Sequence, residues 1–89
     1  MQVKKREAER IFHKLEIVKK ESKHHISGWI VIDGARVLPV HYSFGNGDMP
    51  GFVGKKFMKS FLLKDDEFSR LKGCTMSKDE YFQVLLKRL

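Results

Sequence analysis

The Asp33-Gly34 pair constrains this chain more than any other feature. It lies between two β-branched and aromatic runs, Trp29 to Ile32 and Arg36 to Val40, and Asp-Gly is a favoured two-residue type I′ turn because both central residues need positive φ. A hairpin is therefore predicted across Ser22 to Tyr42. If Ile32 and Ala35 flank the turn, Ile30 faces Val37, Gly28 faces Pro39, Ile26 faces His41 and His25 faces Tyr42. Alternation then gathers His24, Ile26, Ile30, Ile32, Val37 and His41 on one side, with His25, Ser27, Trp29, Leu38 and Val40 on the other. In that register His24 and His41 are diagonal neighbours roughly 7 Å apart, a spacing that suits acid–base chemistry.

Around the hairpin the pattern is that of a small α+β domain. Ala8, Ile11, Phe12 and Leu15 recur at helical spacing, so a helix is predicted from about Lys4 to Leu15. Lys5, Arg6, Arg10, His13 and Lys14 fall largely off its apolar stripe. Glu16 to Lys20 reads as a short strand, with Glu21 to Lys23 turning into the hairpin. Pro39 lacks a donor and fits an edge strand, which the third strand of a meander is. Gly28, in mid-strand, signals a bulge or the close approach of another group.

The turn-rich stretch from Ser43 to Gly51 leads into a second helix, with Asp48 as N-cap, Pro50 in the first turn and helix from Phe52 to Leu63. Val53, Phe57, Met58, Phe61 and Leu62 are its expected core residues. Beyond it come an acidic piece, Asp65 to Phe68, and a last helix opened by a Ser77/Glu80 capping box, with a Met76/Tyr81 staple and Phe82, Leu85, Leu86 and Leu89 as its stripe. One domain is expected over residues 1–89, with a core over 4–63 and a helical extension over 64–89.

Charge narrows the function classes. The chain carries 18 Lys and Arg against 11 Asp and Glu, a net charge of +7. Residues 1–64 hold 13 basic and 6 acidic side chains, whereas 65–89 hold 5 of each, so the whole excess lies in the first part. Such a surface suits a polyanion, most simply nucleic acid. Lys55, Lys56 and Lys59 cluster in the first half of the second helix, where cations oppose the helix dipole unless an anion lies there. The glycines before Lys55 do not make a P-loop, since neither the spacing nor a following Ser or Thr is present. A single cysteine, Cys74, excludes an intrachain disulfide and a thiolate-rich zinc site. No metal or other cofactor is expected, because adjacent histidines on a strand point to opposite faces and no carboxylate pattern completes a set. Neither a secretion signal nor a membrane anchor is evident, so the cytoplasm is the expected compartment.

The helix–strand–strand–strand–helix order, with Gly54-Lys55-Lys56-Phe57-Met58-Lys59 heading the second helix, resembles double-stranded RNA-binding domains. With Ser22-Lys23-His24-His25 and Pro39-Val40-His41 added, residues 4 to 63 resemble the HicA-type toxins, small ribonucleases of dsRNA-binding-like fold. Ser22-Lys23 stands where that family has Gly-Ser, the loop before the second helix is glycine-rich, and the tail after Leu63 is extra. The resemblance implies a dsRBD-like α-β-β-β-α fold, with a three-stranded antiparallel sheet, helices packed on one face and an extra C-terminal helix. It implies metal-independent cleavage of mRNA, with His24 as the catalytic histidine, and a cognate HicB-type antitoxin as partner. His41 is the candidate complement of His24, while Lys23, Lys55, Lys56 and Lys59 are candidate RNA contacts. Trp29, on the non-aliphatic sheet face, is expected at a partner interface or stacked on an unpaired base. Two other readings stand beside this one: a non-catalytic RNA-binding module, and an adaptor that binds protein through the Trp29 face or the last helix.

Overall fold

The computed structural model describes residues 3–23, 25–43, 49, 51–73 and 75–89, except for the side chain of Phe52. Expectations resting on His24, Asp48, Pro50 and most of the loop before the second helix lie outside the described residues. In chain order the elements are α1 (Lys5–Lys14), β1 (Lys20–Glu21), β2 (His25–Ile32), β3 (Ala35–Ser43), α2 (Gly51–Ser60), α3 (Asp65–Lys72) and α4 (Lys78–Arg88). The fold is α+β: among the described residues, four helices accompany one antiparallel sheet of order β1-β2-β3.

The apolar stripe of α1 is buried as expected, through Ala8, Ile11, Phe12 and the following Leu15. Glu16, with φ 56°, then breaks the helix. Ile17 returns its N–H to the Phe12 carbonyl and is itself buried, so Glu16 to Lys19 cannot form the expected strand; β1 begins only at Lys20 and takes in Glu21.

Asp33 and Gly34 adopt φ of 54° and 80°, the left-handed pair a type I′ turn requires. The expected register holds for Ile32 opposite Ala35 and Val31 opposite Arg36, and then slips. A bulge at Val37 adds one residue to β3, so Ile30 faces Leu38, Trp29 faces Pro39, Gly28 faces Val40, Ser27 faces His41, Ile26 faces Tyr42 and His25 faces Ser43. The slip moves Val40 and Tyr42 to the face of Ile26 and Ile30, where all four are buried, and turns His41 outward. Burying two large apolar side chains is worth roughly 1.5–3 kcal/mol each. A disrupted ladder bond costs only about 0.5–1.5 kcal/mol, so burial sets the register against the turn's uninterrupted one.

Gly28 marks a close approach: a Cβ there would overlap Ile17 Cγ2 and come within 3.0 Å of the Val18 carbonyl oxygen. The bulge lies instead on the partner strand. Pro39 is on an edge strand, as its missing donor requires.

α2 stops at Ser60, earlier than the apolar pattern suggests. Leu62 takes φ 60° and is exposed, while Phe61 and Leu63 on either side are buried. The acidic piece that follows is a full helix, α3, which buries Phe68 and Leu71; Glu67 accepts from the Lys64 N–H at 2.9 Å across its first turn. In α4 the Glu80 N–H donates to Ser77 Oγ at 3.2 Å, and Met76 and Tyr81 are both buried. Of the expected stripe, Leu85 is buried and Phe82 packs partly buried against the core, whereas Leu86 and Leu89 are exposed; Tyr81 completes the core face.

The core lies between the aliphatic sheet face and the helices. A run of aromatic contacts crosses it, from Phe12 to Tyr42 (5.4 Å), Tyr42 to Phe57 (5.2 Å), Phe57 to Phe68 (5.8 Å) and Phe61 to Tyr81 (6.0 Å), so β3 and all four helices share it. No helix among the described residues is long and apolar enough to cross a membrane.

Candidate nucleic-acid interface

Helices cover one face of the sheet and leave the other open. Alternation along β2 places His25, Ser27, Trp29 and Val31 on the open face, and the bulge brings Pro39, His41 and Ser43 of β3 opposite them. Part of this face forms a groove of about 710 Å³, lined by Lys20, Ser27, Trp29, Arg36, Pro39 and His41 among others, with His25 and Ser43 beyond its lining. Trp29 is 41% exposed, and the Arg36 guanidinium lies 5.8 Å from the centre of its ring. Glu16 is the acid at the rim; its hydrogen bond and charge attraction to Lys78, 2.7 Å away, hold its carboxyl below the usual range.

His25 Nδ1 and Ser43 Oγ are 3.0 Å apart across the strand pair, a hydrogen bond that fixes the ring. His41 occupies the next pair along, opposite Ser27, and is exposed. The expectation that His41 shares a side with Ile26 and Ile30 is therefore corrected: it shares the open face with His25. His24, its expected partner, lies outside the described residues. The signal for this arrangement was present in the alternation of Val40 and Tyr42 with His41, since two apolar residues outweigh one histidine in choosing the inward face.

The lysines lie elsewhere. α2 packs its Phe57 against Tyr42 on the covered side of the sheet, leaving Lys55, Lys56 and Lys59 exposed with no ion pair to any described residue. Lys23, just before β2, is exposed too. The C-terminal cations contrast with them: Arg70 pairs with Glu80 at 3.3 Å, Lys78 with Glu16 at 2.7 Å and Arg88 with Glu67 at 2.6 Å. Unbalanced positive charge is thus concentrated outside α3 and α4. No group of three or more His, Cys, Asp or Glu among the described residues is placed to hold a metal ion.

Comparison with models of protein families, with curated proteins and with solved structures gave no match.

Proposed function

We propose that this chain is a metal-independent endoribonuclease of the HicA toxin kind, built on a dsRBD-like α-β-β-β-α core and acting on mRNA in the cytoplasm. The observation that carries the reading is the lysine trio of α2, exposed and unpaired among the described residues while the cations of the last two helices are largely engaged. Lysines so placed neutralise backbone phosphates, which is how an RNA-binding domain gains most of its affinity. Histidines at the start of β2 and the end of β3 supply the chemistry. A neutral imidazole takes the 2′-OH proton, the oxygen attacks the adjacent phosphate, and a protonated group assists the departing 5′-oxygen.

By the resemblance, His24 is the catalytic histidine; the candidate phosphate contacts are Lys23, Lys55, Lys56 and Lys59, and the candidate complementary acid is His41, which lies on the open face. A HicB-type antitoxin is the expected partner, covering the histidines and the Trp29 face and so denying RNA access to both.

The test is to incubate a structured mRNA in EDTA with the wild-type chain and with the triple variant His24→Ala/His25→Ala/His41→Ala. Cleavage by the wild type alone, with filter binding retained by both, is the expected result. Binding without cleavage by either protein would make the chain a non-catalytic RNA-binding module. Absence of RNA binding would remove the nucleic-acid reading altogether.

A further inference from the structure

We propose that the open face of the sheet holds the scissile stretch of a single-stranded RNA, with His25 and His41 as the catalytic pair, Ser43 positioning His25, and Trp29 stacking on the neighbouring base. The assignment rests on the RNA-cleaving reading above and makes His25, rather than His24, the proton acceptor.

The register carries it. His41 faces Ser27, so its diagonal neighbours on the same face are His25 and Trp29. Diagonal neighbours in an antiparallel pair are about 7–8 Å apart along the backbone, within reach of each other's side chains. A phosphodiester between two rings, with hydrogen bonds of about 2.8 Å to each, fits such a gap. The bond between His25 Nδ1 and Ser43 Oγ gives the pair its polarity. In the tautomer in which Nδ1–H donates to the serine, the outward Nε2 carries the lone pair that a general base needs.

The rest of the face suits an unpaired strand. Trp29 presents a half-open indole, held on one side by Arg36, and an aromatic ring stacks on any unpaired base. A duplex offers no free base face for that contact, so the face selects single strands. Lys20 and Arg36 flank the groove as cations, and Glu16 at its rim is offset by Lys78.

In the step itself, His25 Nε2 accepts the proton of the 2′-OH and O2′ forms a bond to phosphorus. The P–O5′ bond breaks, and protonated His41 delivers its proton to the departing O5′. The products are a 2′,3′-cyclic phosphate and a 5′-OH end, and no co-reactant is needed.

Trp29 is the only tryptophan, so its fluorescence reports on this face alone. The intact chain is titrated with a single-stranded 2′-O-methyl oligonucleotide, which it cannot cut, and with a blunt duplex of the same sequence. Quenching by the single strand and not by the duplex is expected. With an unmodified strand, His25→Ala and His41→Ala, and likewise His25→Gln and His41→Gln, each lower cleavage by at least about a hundredfold. Ser43→Ala slows cleavage by a smaller factor and Ser43→Thr restores it, which a purely structural serine would not do. Unchanged fluorescence with the single strand overturns the proposal. So do wild-type rates in the His25 and His41 variants alongside an inactive His24→Ala, a result that leaves the ribonuclease reading standing. A wild type that binds RNA and cuts none defeats both.

Discussion

Gly28 shows how one absent methyl sets the distance between a helix and a sheet. The segment leaving α1 crosses β2 so closely that a Cβ at this position would overlap Ile17 Cγ2 and press on the Val18 carbonyl. The second contact is with backbone, which cannot rotate away. Gly28→Ala is therefore expected to destabilise the fold by about 1–3 kcal/mol, the usual range for overpacking. Ile17→Ala removes the overlapping methyl, so the double variant should fall short of the sum of the two single losses by about 0.5 kcal/mol or more. Urea midpoints at constant slope check both, and strict additivity would mean the contact is not what excludes alanine. The sequence marked Gly28 as special but left open whether as a bulge or a close approach. The choice depends on where Ile17 goes, which no local pattern around residue 28 encodes.

At the scale of elements, legibility follows locality. The Asp33-Gly34 turn, α1 and the Ser77 cap are set by residues within a few positions of one another, and all are found where the pattern puts them. The β3 register is not local, because the bulge at Val37 is chosen by the burial of Val40 and Tyr42 beneath α1 and α2, and it carries His41 from one face to the other. α3 escaped because only Phe68 and Leu71 mark its inner face and its N-cap is a lysine. Its C-terminal end is closed from a distance: Lys14 Nζ donates to the carbonyls of Leu71 (2.6 Å), Gly73 (2.7 Å) and Met76 (3.0 Å). A residue that reads as surface charge on α1 thus satisfies carbonyls that the end of α3 leaves open. Lys14→Met keeps the stem and removes the ammonium, and a lost bond to a charged donor costs about 1.5–3 kcal/mol. Hydrogen exchange should show the loss first in α3, with β2 and β3 protected until global unfolding; uniform loss of protection would argue that Lys14 does not act on α3 in particular.

Over the whole molecule, charge is divided between structure and surface. The cations of α3 and α4 mostly hold the fold: Arg88 grips Glu67 through two bonds of 2.7 and 2.6 Å and also donates to the Leu62 carbonyl at 2.8 Å. The Arg88 hydrogen bonds, helped by the Lys64 N–H, hold the Glu67 carboxyl down to about 2. A carboxylate held low in the folded chain adds stability above its unfolded value of about 4.3, and that contribution is lost as pH falls from there through the folded value. Thermal unfolding between about pH 5 and pH 2 should then show a decline that Glu67→Gln largely removes; an equal decline in the variant would assign it to other carboxyls. The lysines of α2 belong to the other class, since they are exposed and make no ion pair with described residues. If they meet phosphates, each contributes about 0.7–0.9 to the slope of log affinity against log salt. Replacing Lys55, Lys56 and Lys59 together by alanine should flatten that slope by about 2 to 3. Arg70→Ala, which removes a cation already paired with Glu80, should leave the slope nearly unchanged. If Arg70→Ala flattens the slope as much as one of the α2 lysines does, RNA reaches over the C-terminal helices, and the division of charge between holding the fold and meeting the ligand is drawn in the wrong place.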